Sequence, residues 1–111
     1  MLNNMQCEAC GLESIALTEA EQQELLRQLV DWKLKQHDTI PQLVKSYSFK
    51  NYKLAWAFSN RISELAEVEG HHPAILLEWG KVTVTWWSHS IRGLHKNDFI
   101  CAAKCDDLNL S

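Results

Sequence analysis

The distribution of hydrophobic and polar residues along the chain first predicts a short amphipathic helix. An apolar stripe at helical spacing runs from Leu25 to Val30, and polar residues occupy the other side of the segment. Thr18 followed three residues later by Glu21 has the spacing of an N-terminal capping box. These features predict a first helix from about Glu19 to Val30.

Two further helices are predicted downstream. Asn51 is a suitable N-cap for the longer one, Gly70 is typical of a helix end, and Pro73 prevents the helix from resuming. The residues of this helix expected to face the core are Tyr52, Leu54, Ala55, Phe58, Ile62, Leu65 and Ala66. A last helix is predicted from about Asn97 to Cys105.

Alternating and β-branched residues predict four strands, at residues 32–35, 43–49, 75–79 and 82–89. Turn residues at 38–41 and at Gly80-Lys81 join the strands into two hairpins. The element order is therefore α-β-β-α-β-β-α. This order predicts an α+β two-layer sandwich, in which a four-stranded antiparallel sheet carries the helices on one face.

Length and charge narrow the class of protein. The 111 residues fit one domain, with residues 1–16 as a short N-terminal extension and residues 17–111 as the folded unit. A net charge of −3 argues against nucleic-acid binding through a basic surface. No stretch approaches the roughly 20 apolar residues of a membrane span, and the start has no signal-peptide pattern. We therefore expect a cytoplasmic protein with reduced thiols.

Three histidines are the candidate catalytic residues. His71 and His72 precede Pro73, which restricts the backbone of the residue before it and fixes the directions of both rings. His89 lies at the end of the predicted fourth strand, and antiparallel pairing brings that end beside the start of the third strand. Imidazoles with a pKa near ~6.5 donate and accept protons at neutral pH. The three rings are expected to converge and to perform acid–base chemistry.

Seven residues at fixed spacing resemble the signature of the pterin-4a-carbinolamine dehydratase family. They are Glu67, His71, His72, Pro73, Trp79, His89 and Asp98. The resemblance extends over roughly Leu17 to Cys105, and it includes Asp31-Trp32 and Phe49-Lys50-Asn51-Tyr52. The α+β fold of that family agrees with the order derived above.

The resemblance implies an activity and a set of catalytic residues. It implies a hydro-lyase that converts 4a-hydroxytetrahydrobiopterin to quinonoid dihydrobiopterin and water, recycling the pterin for an aromatic amino-acid hydroxylase. The catalytic residues would be His71, His72 and His89. The pterin is the substrate, so no cofactor and no metal are expected. Members of this family form dimers or tetramers, so a homodimer or homotetramer is expected here.

The resemblance also implies residues that bind the substrate. These are Glu67, Pro73, Ser88, Ser90, Ile91 and Trp32. For Glu67, orienting a histidine and lying solvated on the helix remain alternatives, and Trp32 either walls the site or belongs to the core. Trp79 and Asp98 are expected to act structurally, through packing and helix capping. Gly70 departs from many relatives, which carry Asp or Asn at this position.

Two other functions compete with catalysis. A metal site is one, because Cys7 and Cys10 have a zinc-like spacing to which His71, His72, Cys101 and Cys105 add ligands. The spacing of Cys101 and Cys105, one helical turn, favours core filling instead. The other is a non-enzymatic dimerisation or regulatory role, using Trp56, Arg61 and Glu64 on the long helix. His37 and His95 are expected to be solvated and carry no assignment.

Overall fold

The computed structural model of the protein describes residues 2–7 and 15–109. This part of the chain contains the predicted elements in the predicted order. Their bounds are α1 Glu19–Leu26, β1 Lys33–His37, β2 Ile40–Ser48, α2 Tyr52–Glu69, β3 Ala74–Glu78, β4 Lys81–Trp86 and α3 Lys96–Asn109. Short 3-10 turns lie at Leu2–Asn4 and His89–Ile91.

The four strands form one antiparallel sheet in the order β1-β2-β4-β3. One face of the sheet packs against α2 and α3, and α1 contacts α3. In β4, Val82, Val84 and Trp86 are buried while Thr83 and Thr85 between them are half-buried, as expected for a strand with one covered face. The α+β two-layer sandwich predicted from the sequence is confirmed.

Helix α2 has the two ends that the sequence predicts. The Asn51 side chain accepts a hydrogen bond from the backbone N–H of Leu54, and Gly70 ends the helix in the left-handed conformation, with φ 66°. Tyr52 and Leu54 are exposed rather than in the core, because the buried stripe begins one residue later at Ala55. Within residues 2–7 and 15–109, no helix is both long and apolar enough to cross a membrane.

Helix α1 and strand β4 end earlier than predicted. The Thr18–Glu21 capping box is present, but α1 stops at Leu26. The amides of Gln28 and Leu29 bond to carbonyls three residues back, which tightens the chain into a turn. Val30, predicted in the helix stripe, is exposed. Strand β4 ends at Trp86 because Ser88 pairs with Gly93 in an isolated bridge, so His89 begins a 3-10 turn instead of ending the strand.

The first hairpin and the last helix are longer than predicted. Asp38 and Thr39 both have positive φ, which closes the hairpin in two residues and lets β2 begin at Ile40. Pro41 is accommodated because it pairs with β1 outside the part of β2 that pairs with β4. Helix α3 continues beyond Cys105 to Asn109.

Residues 2–7 of the predicted N-terminal extension pack onto α3. Leu2 is buried in the core, and the Asn3 side-chain amide donates to Asp107 Oδ2 at 2.8 Å. The Cys7 backbone N–H donates to Glu69 Oε1 at 3.0 Å, which ties the segment to α2 as well. Cys10, the second residue of the predicted zinc-like pair, lies outside the described residues.

Candidate active site

The link between α2 and β3 presents the two adjacent histidines. The His71 backbone N–H bonds to the carbonyl of Ala66 at 3.2 Å, directly after the left-handed Gly70. Pro73 then leads into β3, whose first residue Ala74 pairs with Thr85 of β4. The start of β3 therefore meets the end of β4, as the sequence predicts.

His71 is held between a carboxylate and an indole. Its Nε2 lies 2.5 Å from Asp98 Oδ1, and its ring stacks on Trp86 with the centroids 5.6 Å apart and the planes 9° apart. The His71 side chain is only 10% exposed and that of Asp98 is fully buried. Because a carboxylate only accepts hydrogen bonds, we assign Nε2 as the donor in this contact, and Nδ1 is the ring nitrogen that Asp98 does not contact.

Asp98 connects His71 to two other parts of the chain. Its Oδ2 accepts from the Ser88 hydroxyl at 2.8 Å and from the His95 backbone N–H at 2.9 Å. The bond from His95 caps the start of α3 together with a second bond, in which His95 Nδ1 accepts from the Asn97 N–H at 3.0 Å. Helix capping by Asp98 is thus confirmed. The expectation that His95 is solvated is wrong, since it is buried as part of this cap.

His72 faces solvent and pairs with Glu67. His72 Nε2 lies 2.6 Å from Glu67 Oε2, and the two side chains are 59% and 80% exposed. Glu67 lies near the carboxyl end of α2, within reach of the link that follows. Glu67 thus contacts a histidine and is also largely solvated on the helix, so the two alternatives for its role stay open.

His89 lies on the surface, in the turn that follows β4. Its ring is 4.2 Å from that of Trp87, with 30° between the planes. Ser88, the residue before it, binds the same Asp98 carboxylate as His71. The chain thus brings the segment of His89 against that of His71. Ser90 and Ile91, predicted to bind substrate, lie in the same 3-10 turn. The catalytic and binding roles of all these residues stay predictions.

Two predicted tryptophans lie elsewhere. Trp32 is buried, so the alternative that places it in the core fits. Its Nε1 donates to Asp106 Oδ2 at 3.1 Å, and Asp106 lies two helical turns along α3 from Asp98. Trp79 was expected to pack, but it is 69% exposed because it sits at the turn between β3 and β4.

Trp86 is the aromatic residue that contacts His71, and it was not singled out from the sequence. The alternation in β4 contains the signal, because Val82, Val84 and Trp86 share one face of the strand. Two apolar β-branched residues on that face mark it as the covered one. Trp86 therefore had to lie beneath the helices, at the strand end nearest to the histidine pair.

Three cysteines of the predicted metal alternative, Cys7, Cys101 and Cys105, lie in the described part of the chain. Cys101 and Cys105 are fully buried in the core, as the alternative of core filling predicts, and burial raises the pKa of Cys105 to about 12. Cys7 Sγ lies 3.3 Å from Cys101 Sγ. His71 and His72 bind carboxylates instead. In the described ranges, no three His, Cys, Asp or Glu side chains converge as a metal site.

A model of the family described as pterin 4 alpha carbinolamine dehydratase matches residues 15–108. The chain belongs to this family. A dehydratase-family protein from Vibrio vulnificus (strain YJ016) is 66% identical over 108 residues, which is 97% of this chain and 98% of the relative. One from Vibrio cholerae serotype O1 (strain ATCC 39541 / Classical Ogawa 395 / O395) is 68% identical, over 97% and 99% of the two chains. Both are named pterin-4-alpha-carbinolamine dehydratase, as a provisional assignment.

Solved structures of the dehydratase family share the fold. A protein from Brucella melitensis, described as a transcriptional coactivator/pterin dehydratase, has a TM-score of 0.76 at 31% identity, covering 85% of this chain and 98% of its own. A pterin dehydratase-like protein, identified as a RuBisCO assembly factor in the alpha-carboxysome, has a TM-score of 0.61 at 26% identity, covering 71% and 89%. The fold therefore occurs in proteins described by different roles.

Proposed function

We propose that this protein catalyses the loss of water from 4a-hydroxytetrahydrobiopterin, giving quinonoid dihydrobiopterin. Membership of the dehydratase family supports this reaction class. The observation that carries the proposal is the contact between His71 and the fully buried Asp98. A histidine oriented by a carboxylate, with its other nitrogen left to exchange a proton, is an arrangement suited to general acid–base catalysis.

The reaction needs one proton delivered and one removed. The bond from C4a to the hydroxyl oxygen breaks, and a general acid protonates that oxygen so that it leaves as water. A general base accepts the proton lost from the pterin nitrogen, and the electron pair left there forms the new double bond to C4a. No electrons are exchanged with a second molecule, and the pterin is the substrate of the proposed reaction.

The histidines divide these tasks according to their surroundings. Asp98 orients the ring of His71, so His71 can return to the same geometry after each transfer. We assign protonation of the leaving hydroxyl to one of His71 and His89. Another histidine or a water accepts the nitrogen proton. His72, paired with Glu67, orients the ring and shares in the transfer.

The loop after β4 supplies the remaining contacts to the pterin. Ser88, Ser90 and Ile91 belong to this loop, and backbone groups there, with Pro73 on the α2–β3 link, suit the in-plane hydrogen bonds of a flat polar ring. The substrate is the product left by an aromatic amino-acid hydroxylase, which we propose as the metabolic partner. The proposal also places the protein in the cytoplasm, as a homodimer or a homotetramer.

A second candidate function is binding of a protein. Helix α2 exposes large apolar side chains on its outer side, and solved relatives are described as a coactivator and an assembly factor. The exposed residues are Tyr52, Leu54, Trp56 and Val68. Tyr52 and Trp56 lie one turn apart near the amino end of α2, away from the histidines on the α2–β3 link, and they suit self-association or contact with a regulatory partner.

One assay distinguishes the two functions. Dehydration of freshly formed 4a-hydroxytetrahydrobiopterin is followed by ultraviolet absorbance with and without the purified protein. Acceleration well above the spontaneous rate, unchanged by Trp56→Glu, supports catalysis. If the folded protein leaves the spontaneous rate unchanged, the dehydratase proposal fails, and loss of assembly in Trp56→Glu would then favour the binding function.

A further inference from the structure

A cysteine of the N-terminal segment, residues 2–7, faces a second cysteine on α3. Cys7 Sγ lies 3.3 Å from Cys101 Sγ and 3.7 Å from the carbonyl oxygen of Asn97. The Cys7 backbone is held by Glu69, whose other carboxylate oxygen accepts from Lys104 Nζ at 3.2 Å. The two thiols therefore meet at a junction of three segments that are far apart in sequence, and neither belongs to the proposed dehydratase site.

We propose that Cys7 and Cys101 are a reversible redox site, forming a disulfide when the protein meets hydrogen peroxide. This assignment is independent of the proposed dehydratase activity. The modified residues lie at the junction of the N-terminal segment with α3. A second copy of the chain is not required, because both sulfurs belong to one molecule.

The required movement is small. A disulfide has its sulfurs about 2.0 Å apart, so the two thiols must approach by a little over ~1 Å. The N-terminal segment can supply that movement, because it is a short 3-10 turn followed by residues outside any helix or strand. Cys101 sits in the middle of α3 and is the fixed partner.

The burial of the two sulfurs assigns the order of reaction. Cys7 is half-buried and Cys101 is fully buried, so peroxide reaches Cys7 first. The hydrogen bond with Cys7, together with burial, raises the pKa of the Cys101 thiol, which suits the resolving rather than the attacking role.

The chemistry balances without a further reactant. The Cys7 thiolate attacks peroxide; the S–O bond forms, the O–O bond breaks and hydroxide leaves, giving a sulfenic acid. The Cys101 sulfur then attacks the Cys7 sulfur, the S–O bond breaks, and the Cys101 proton leaves with the oxygen as water. Two thiols are oxidised, and one peroxide is reduced to two waters. A small dithiol reverses the bond by exchange.

Oxidation would fasten the chain terminus to the helix that carries Asp98. The closed loop would run from residue 7 to residue 101, almost the whole folded chain. A crosslink across so long a loop restricts the unfolded state, so the oxidised protein is expected to melt several degrees above the reduced protein. Reduction with a dithiol returns the lower Tm.

Peptide mapping of the folded protein tests the assignment. After titration with peroxide and trapping of free thiols, cleavage at Glu and at Lys or Arg isolates each cysteine, because Glu8 separates Cys7 from Cys10 and Lys104 separates Cys101 from Cys105. The expected product is peptide 1–8 joined to peptide 97–104. A Cys7–Cys10 bond instead, or over-oxidation of Cys7 with no crosslink, would overturn the proposal.

Variants of single cysteines test which residues cause the rise in Tm on oxidation. Cys7→Ser is expected to abolish both the crosslink and the redox-dependent shift in Tm, while Cys10→Ser and Cys105→Ala retain them. A shift that persists in Cys7→Ser, or one that disappears in Cys10→Ser while Cys7 is present, contradicts the assignment. Because the mapping is done on the wild-type chain, the proposal stays testable even if a variant folds poorly.

Discussion

At the scale of single residues, the site depends on one buried carboxylate. Asp98 binds the His71 ring through one oxygen, and it binds the Ser88 hydroxyl and the His95 backbone through the other. A fully buried carboxylate is expensive unless its oxygens are satisfied, and here both are. The same group therefore holds a candidate catalytic ring and caps a helix.

Replacing Asp98 by Asn is expected to impair the proposed catalysis more than the fold. Asn keeps the size but loses the charge and one of the two acceptor oxygens that orient His71, so kcat should fall by about 10²–10⁴. The cap contact weakens too, lowering the free energy of unfolding by about 1–2 kcal/mol. The pH profile of kcat and urea unfolding measure the two effects separately.

Ser88→Ala is the matched control for Asp98→Asn. It removes another donor to the same carboxylate but leaves the contact between His71 and Asp98 in place. We expect a loss of stability of about 1–3 kcal/mol with kcat changed far less than in Asp98→Asn. Equal losses of kcat in both variants, with the pH profile unmoved, would show that Asp98 acts only on the structure.

Glu67→Gln tests the exposed pair. Because both side chains of this pair are largely solvated, the free energy of unfolding should change by less than about 1 kcal/mol. If Glu67 orients His72, kcat/KM should fall by up to about fivefold. Glu64→Gln, an exposed change on the same helix, serves as the control and should leave kcat/KM as in the wild type.

The sequence predicted local contacts of the site better than distant ones. For Glu67 the sequence left contact with a histidine as one of two alternatives, and His72, five residues further along, is within local reach of it. The contact of His71 with Asp98 spans 27 residues and depends on how α3 docks on the sheet. Nothing in the local pattern around Asp98 encodes that distance, so only its capping role was predicted.

At the scale of elements, the end of α2 sets the direction of the histidine pair. Gly70 has φ 66°, a conformation that costs most residues about 1–2 kcal/mol. A Cβ added there meets no atom within 4 Å, so any cost is conformational rather than steric. Gly70→Ala should lower the free energy of unfolding by about 1 kcal/mol, measured by urea denaturation.

Gly70→Asn is the comparison for this prediction. Asn tolerates the left-handed conformation, so its loss of stability should be smaller than that of Ala. An alanine variant as stable as the wild type would mean that the link adopts another conformation. In that case the directions of His71 and His72 described above would not hold.

The predicted ends of helices and strands were accurate where a capping side chain or a glycine marks the end in the sequence. Asn51 and Gly70 delimit α2, and both ends matched the prediction. The end of β4 is set instead by backbone pairing of Ser88 with Gly93, which the strand-like composition of residues 82–89 conceals. Similarly, α1 ends where backbone bonds tighten, while its apolar spacing continues to Val30.

At the scale of the whole molecule, three buried side chains that can each lose a proton make the free energy of unfolding depend on pH in the alkaline range. Burial raises the pKa of Tyr47 and raises that of Cys105 from 9.0 to about 12, and the pKa of Cys101 is raised by its bond with Cys7 and by burial. Above pH 9.0 the unfolded chain loses the Cys105 proton while the folded chain keeps it. The free energy of unfolding should therefore fall as pH rises from there toward about 12.

Urea denaturation at a series of pH values measures this dependence. Cys105→Ala removes one of the three groups, so the free energy of unfolding should fall less steeply with pH above about 9 than in the wild type. An identical slope in the two proteins would mean that Cys105 ionises equally in the folded and unfolded chains. Absolute stability of the variant does not enter the comparison.

The overall architecture was predictable because hydrophobic periodicity and hairpin turns determine it. The order of seven elements and the antiparallel sheet followed from local patterns. The docking of residues 2–7 on α3 did not, because Leu2 and Cys7 carry no periodic signal in so short a segment. The redox pair inferred above exists only through that docking.

The most direct test of the account is the dehydration rate of 4a-hydroxytetrahydrobiopterin in four histidine variants. The variants under test are His71→Ala, His72→Ala and His89→Ala. The control is His37→Ala, which changes a 76% exposed ring in the first hairpin, and the fold of each variant is verified. We predict that His37→Ala matches the wild type, while the other three lose turnover. Undiminished turnover in those three variants would contradict the assignment of catalysis to these histidines.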